Sequence, residues 1–160
     1  MKKGSYFFLL LIMTSMLSCS TQKNTWLSRH FHQMQTKYNI QYNGRKAYND
    51  GLEAINEAHE DDFSTILPLY PISDHEAAKA ATSHMDRAIE KCRKSIKLHS
   101  IKVRPKKINP DKRRRDPKYK AWLQQEEFNE ELSKAWLLLA QSEFHKGDFL
   151  GSISTFNYII

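Results

Sequence analysis

Apolar residues recur along this chain at intervals of three and four residues, and strand-like alternation is almost absent. A first stretch from about Thr25 to Tyr38 and a second from about Arg45 to Ala58 both show this spacing. Asn43-Gly44 supplies a turn before the second stretch. The pattern therefore predicts two helices, the first with a stripe made of Leu27, Phe31, Met34 and Tyr38.

A connector with two prolines, Pro68 and Pro71, separates these helices from a third. Proline removes a backbone donor and fixes φ, so the connector cannot be a regular helix. Ser73-x-x-Glu76 then predicts a capping box at the start of a helix that ends near Leu98. One face of that helix carries an apolar stripe of Ala78, Ala81, Met85, Ala88, Ile89, Cys92 and Ile96.

Asp116-Pro117 predicts the start of a fourth helical stretch, with aspartate as the N-cap and proline in the first turn. Helical spacing then continues to about Lys146. The polar run Gln124–Glu127 interrupts the apolar stripe, so one helix and two helices both fit the pattern. The fold class predicted is all-α, with helical hairpins leading into a repeat array.

The last part of the chain, from Ser133 onward, resembles a tetratricopeptide (TPR) repeat. Small residues let two antiparallel helices approach, while larger residues fill the space around them. Glu143 departs from the motif because an aromatic residue is usual there, and a plain helical hairpin remains the alternative. The residues that occupy TPR motif positions are Trp136, Leu139, Ala140, Gly147, Phe149, Ser152 and Phe156.

About three repeats are needed for a stable stack, because a single one cannot bury its own apolar face. The chain ends before a motif of about 34 residues is complete. We therefore expect it to be the front of a longer TPR solenoid.

Basic charge is concentrated in one segment. The chain carries a net charge of +7, and Ile101–Lys118 alone contains nine basic and two acidic residues. Such a segment is a candidate to contact lipid A phosphates, anionic lipid or an acidic protein surface. A solvated linker, extended by its own repulsion, is the alternative. The candidate contacts are Lys106, Lys107, Arg113, Arg114 and Arg115.

The residues that usually carry catalysis do not form a recognisable set. The seven histidines show no ligand spacing, and no Ser–His–Asp order, glycine-rich phosphate loop or CxxC pair is present. Cys92 lies within an apolar stripe, which indicates a buried structural cysteine. We expect no enzymatic activity, no metal, no cofactor and no small-molecule substrate.

The N-terminus has the form of a lipoprotein signal peptide. Lys2 and Lys3 precede an apolar stretch that is too short to span a membrane comfortably. Met16-Leu17-Ser18-Cys19 resembles a bacterial lipobox, in which the cysteine is acylated and becomes the new N-terminus. By resemblance to lipoprotein sorting rules, acylation of Cys19 implies a protein anchored in the outer membrane on its periplasmic side, since no acidic residue comes directly after the cysteine in Ser20–Asn24. That location argues against a nucleic-acid partner.

These features divide the chain into four segments. Residues 1–18 form the signal peptide, and residues 19–100 an N-terminal helical region. Residues 101–118 form the basic linker, and residues 119–160 a helix and the start of the TPR array.

The order of short motifs resembles the N-terminal part of the PorW/SprE lipoproteins of the Bacteroidetes type IX secretion and gliding machinery. The resemblance runs through the Tyr38–Gly44, His59–Phe63 and Met85–Cys92 motifs, between the lipobox and the TPR start. It implies a non-enzymatic periplasmic scaffold that contacts translocon and ring components through TPR surfaces.

Three other classes of protein also combine a lipid anchor with TPRs. A β-barrel-assembly lipoprotein would enter its repeats sooner after the cysteine. A SusD-like nutrient-binding lipoprotein would display an aromatic platform, which we cannot locate in the sequence. A cell-wall enzyme would need a catalytic domain beyond Ile160.

Overall fold

A computed structural model describes residues 23–64, 66, 67 and 69–160. The signal peptide and Cys19 lie outside the described residues. All regular structure within these ranges is helical, which confirms the all-α prediction. The helices are α1 (Trp26–Lys37), α2 (Arg45–Ala58), α3 (His75–His99), α4 (Pro110–Arg115), α5 (Pro117–Gln124), α6 (Leu132–His145) and α7 (Phe149–Ile159).

No helix in the described part of the chain is both long enough and apolar enough to cross a membrane. The lengths range from six residues in α4 to 25 in α3. In α3 the buried residues lie on one face and most charged residues lie outside it, which is the pattern of a helix packed on one face.

The prediction of a turn at Asn43-Gly44 is wrong. A π-helical segment, Tyr38–Gly44, joins α1 to α2 without a reversal, and Gly44 has helical dihedral angles of φ −69° and ψ −49°. A Cβ atom at Gly44 would lie 3.2 Å from Cδ2 of Leu138 in α6. The glycine therefore serves the close approach of a neighbouring helix rather than a chain reversal.

The N-cap of α3 is Asp74, so the capping box predicted at Ser73 is wrong. Ser73 belongs to a short 3₁₀ helix, Pro71–Ser73. The Asp74 carboxylate accepts a hydrogen bond from the backbone N–H of Glu76 at 3.0 Å. Aspartate satisfies a free helix N–H as well as serine does, and its charge also favours the helix N-terminus.

Two helices, α5 and α6, occupy the stretch from Asp116 to Lys146, in agreement with one of the two sequence readings. Asp116 caps α5 by accepting from the backbone N–H groups of Lys118 and Tyr119, as predicted. The basic segment before it differs from an extended linker. Ile101 and Pro105 are buried, and Asn109 caps the short helix α4.

The chain divides into two compact units, each assembled from two separate stretches. Unit A comprises described residues 23–34 together with His99–Glu130, and unit B comprises Gln35–Leu98 together with Glu131–Ile160. In unit A, the Phe128 N–H donates to the Ile101 carbonyl at 2.9 Å. The Glu127 carboxylate accepts from the N–H groups of Ile101 and Asn129 at 2.7 and 2.8 Å.

The larger apolar core belongs to unit B and is formed by α2, α3, α6 and the π-helical segment. Small residues on α3 allow its neighbours to approach closely, and longer side chains fill the remaining space. Fully buried members include Ala77, Ala81, Met85, Ala88, Cys92, Ala135 and Leu138.

Candidate interaction site

A tight turn reverses the chain between α6 and α7. Gly147 has a φ of +88°, a conformation that favours glycine. The N–H groups of Gly147 and Asp148 donate to the carbonyls of Phe144 and Glu143 at 3.0 and 2.9 Å, which completes the end of α6. Asp148 then caps α7 by accepting from the Gly151 N–H at 2.9 Å. Gly147 and Asp148 thus lie in the connection between α6 and α7, and Phe149 begins α7.

Two small residues meet where α6 and α7 cross. Ala140 is fully buried, and Ser152 is 2% exposed. The Ser152 hydroxyl donates to the Ala140 carbonyl at 2.9 Å. This bond joins the side chain of one helix to the backbone of the other. Because both residues are also buried, a larger side chain at either position would have to displace packed neighbours.

Larger side chains flank that crossing. The rings of Trp136 and Tyr158 lie 4.5 Å apart between centroids, and those of Phe144 and Phe149 lie 5.5 Å apart. Leu139 is buried, whereas Phe156 is half-buried and Phe149 is half exposed. The seven residues singled out as repeat positions therefore all lie in one helical hairpin.

Glu143, the departure from the repeat motif, is almost completely buried and has two partners. Arg93 of α3 donates to its Oε1 at 2.9 Å, and the Thr155 hydroxyl of α7 donates to its Oε2 at 2.7 Å. The carboxylate thus links three helices of unit B through charge-assisted bonds. Sequence reasoning missed this group because its three members are far apart along the chain.

Cys92, next to Arg93 on α3, is a buried free cysteine. Burial raises the pKa of its thiol to about 12, and the nearby Glu143 charge adds to that effect. A thiol with so high a pKa is a poor nucleophile and a poor metal ligand at neutral pH. This environment agrees with a structural cysteine.

The structure does not bring the five basic residues expected at an anionic contact to one place. Lys106 and Lys107 line a cavity of unit A beside aromatic residues. Arg113 and Arg114 line a separate, shallow groove with Ile108, Pro110 and Lys120. Arg115 is exposed at the end of α4. Charge density along the sequence therefore does not identify one binding site.

Two histidines of unit A form a contact that the sequence did not indicate. Nδ1 of His32 lies 2.9 Å from Nδ1 of His99. Burial lowers the pKa of both imidazoles, and the charge of His32 lowers that of His99 further. Asn129 holds the pair from the backbone side by donating to the His99 carbonyl at 2.9 Å.

Within the described ranges, no group of three or more histidine, cysteine or carboxylate side chains could hold a metal ion. Comparison with protein-family models found no match, and comparison with curated proteins found none either.

Proposed function

We propose that this chain belongs to an outer-membrane-anchored periplasmic scaffold lipoprotein that supports type IX protein secretion, and gliding where it occurs. Acylated Cys19 supplies the anchor, and TPR-type helical hairpins supply protein–protein contacts. Secretion-system proteins, among them translocon and periplasmic ring components, are the proposed partners. The proposal includes no enzymatic step.

The α6–α7 hairpin carries the proposal. Its small-residue crossing at Ala140 and Ser152, followed by partly exposed aromatics, has the features on which TPR stacking depends. The lipobox-like residues before Cys19 support the proposed lipid anchor. The order of motifs along the chain supports the proposed family. A plain helical hairpin would account for the fold but not for these sequence features.

The outward face of α7 is the proposed contact surface. Leu150 and Ile153 are 84% and 57% exposed, and an exposed apolar helix face is typical of a surface that another helix covers. Helix-in-groove contacts and the stacking of successive repeats both use such a face.

Site-specific photo-crosslinking in cells that make the full-length lipidated protein tests the proposal. A benzophenone amino acid replaces Leu150 or Ile153, and the matched control carries it at Lys94, an exposed polar position of α3. Capture of translocon, ring or secretion-cargo proteins at the α7 positions but not at Lys94 would support the proposal. Capture of β-barrel-assembly components, or of a TonB-dependent nutrient transporter, would establish one of the alternative classes instead.

A further inference from the structure

A cavity in unit A combines cationic side chains with flat aromatic rings. Its volume is about 490 Å³, and three separate stretches of chain line it. These are the N-terminal stretch as far as Arg29, the basic segment from Val103 to Lys107, and α5 through Tyr119 and Trp122. Neither the helix pattern nor the charge pattern of the sequence predicted this combination.

Asn24 fixes the N-terminal stretch against the basic segment. Its side chain is buried, and its Nδ2 donates to the Val103 carbonyl at 2.7 Å. The same amide accepts a hydrogen bond from Nη1 of Arg29 through Oδ1. The Arg29 guanidinium lies 5.0 Å from the ring centroid of Trp122, which is a cation–π distance. These bonds hold the wall of the cavity in place without a ligand.

The charge of this cavity has one sign. Lys23, Arg29, Lys106 and Lys107 line it, and none of its described lining residues is acidic. Burial lowers the pKa of the Arg29 guanidinium, while Tyr119 and the Glu130 carboxylate act in the opposite direction. Glu130 is not among the residues that line the cavity, so desolvation of Arg29 is a cost that an entering anion would offset. The cavity is therefore complementary to an anionic group rather than to a neutral or cationic one.

Apolar surface adjoins the cations. Trp26 and Leu27 at the start of α1 are 70% and 56% exposed, and tryptophan is favoured where an apolar phase meets water. An anion that enters here would carry an apolar or flat body beside it. An anionic lipid at a membrane surface has both parts.

We propose that this cavity binds the phosphate headgroup of an anionic lipid. The phosphate lies among Lys23, Lys106, Lys107 and Arg29, and the glycerol or sugar part of the headgroup lies against Trp26 and Trp122. The inference rests on the anchor of the proposed function. Lys23 follows Cys19 by four residues, a span of at most about 14 Å, so an acylated Cys19 would keep the cavity beside the membrane surface.

Fluorine NMR of the full chain in zwitterionic detergent micelles can test this binding. The chain contains three tryptophans, so 5-fluorotryptophan labelling gives a separate probe for each. Trp26 and Trp122 line the cavity, and Trp136 belongs to unit B as an internal control. The ligands added are short-chain phosphatidylglycerol, short-chain phosphatidylcholine of the same length, glycerol phosphate, inorganic phosphate and an acidic peptide.

We expect phosphatidylglycerol to shift the Trp26 and Trp122 signals in a saturable way and to leave Trp136 unchanged. The double variant Lys106→Gln/Lys107→Gln should weaken that binding about tenfold or more, since each cation near an anionic lipid surface contributes about 1 kcal/mol. The matched control, Arg113→Gln/Arg114→Gln, removes the same charge from the same segment but outside the cavity. It should change the affinity by less than about threefold. Trp26 and Trp122 signals that match those of the wild type before ligand is added show that unit A of each variant is folded.

Several results would overturn the proposal. Equal weakening by the two double variants would mean general electrostatic attraction. Saturation by inorganic phosphate or glycerol phosphate at the same concentration as the lipid would mean a free-phosphate site. Tighter binding of the acidic peptide would mean a protein site, and no shift with any ligand would mean no site. The titration needs no acyl chain on Cys19, so it can fail or succeed independently of the anchor.

Discussion

Arg93 of α3 donates a 2.9 Å hydrogen bond to Glu143 of α6, whose side chain is only 4% exposed although that of Arg93 is 63% exposed. The carboxylate therefore depends on the arginine far more than the arginine depends on the carboxylate. Removal of the exposed partner would leave a buried charge that keeps its hydrogen bond from the Thr155 hydroxyl but has lost its cation.

Arg93→Ala should lower the free energy of unfolding by about 1–2 kcal/mol, because it leaves the buried Glu143 carboxylate without its cation. Urea unfolding followed by circular dichroism measures this change. Arg87→Ala on the same helix is the matched control, since Arg87 is exposed, and it should cost less than about 0.5 kcal/mol. Equal losses in the two variants would show that the Arg93–Glu143 bond contributes nothing.

Ala140→Leu should destabilise the protein by about 1–3 kcal/mol, because the crossing with Ser152 has no space for a larger side chain. Thermal unfolding of both variants provides the measurement. Ala80→Leu, at an exposed position of α3, adds the same atoms to a helix of the same unit and should have almost no effect. A neutral Ala140→Leu would mean that α6 and α7 can separate without cost.

Gly147→Ala should cost about 1 kcal/mol, since Gly147 has a φ of +88° and a Cβ atom is strained there. No atom outside the turn would touch that Cβ within 4 Å, so the cost comes from the backbone alone. Gly147→Asn should be milder, because asparagine tolerates positive φ better than alanine does. The free energy of unfolding, measured in urea, should be highest for the wild type, lower for Gly147→Asn and lowest for Gly147→Ala. A Gly147→Asn variant less stable than Gly147→Ala would contradict this explanation.

The His32–His99 pair should make stability depend on pH. Both imidazoles have a pKa below the usual value of about 6.5. Below that pH the unfolded chain takes up protons that the folded chain does not bind, so the free energy of unfolding falls. Full stability is present above about pH 6.5 and is lost as the pH falls toward the lowered pKa values.

Unfolding measured in denaturant at several values between about pH 5 and pH 7.5 checks this effect, since carboxylates titrate mainly below that window. His99→Gln should flatten the dependence in that range. His75→Gln is the control, because the His75 side chain is 89% exposed. A slope that is identical in wild type and His99→Gln would rule out the histidine pair as its source.

Cys19→Ala should release the protein from the membrane, because the acylated cysteine is the proposed anchor. Fractionation with and without detergent measures the release, and Cys92→Ala is the control, since a buried cysteine of unit B should not affect membrane association. If Cys19→Ala still required detergent for extraction, Cys19 would not be the anchor.

Helix content and several helix ends followed directly from the sequence. Arg45–Ala58 was predicted with its observed bounds, and Asp116-Pro117 marked the start of α5. These features depend on residues close together in the chain, such as an N-cap aspartate and its neighbouring N–H groups. Local patterns are sufficient where local bonds decide the structure.

Spacing alone could not predict which face of α1 is buried. Three of the four residues in the predicted apolar stripe, Leu27, Met34 and Tyr38, are more than half exposed. Ser28, His32 and Thr36 are buried instead. His32 is buried against His99, which lies 67 residues away along the chain. Burial of a polar face depends on such distant hydrogen-bond partners, and a single sequence does not show them.

The cavity of unit A could not be predicted from the sequence either, because it too depends on contacts between distant residues. The sequence marked Lys106 and Lys107 as part of one basic segment, but it did not associate them with Trp26 or Trp122. Asn24 and its bond to Val103 bring these stretches together. The number of charges in a sequence segment does not reveal a tertiary contact of this kind.

Burial of Cys92 determines when its thiol can be oxidised. Burial raises the pKa of this thiol to about 12, so almost none of it is ionised at pH 7, and thiol–disulfide exchange requires the ionised form. Before folding, the same thiol is exposed and ionises far more readily. In an oxidising compartment such as the one proposed, the period between export and folding is therefore when a mixed disulfide can form, and burial of Cys92 in the folded core ends that period.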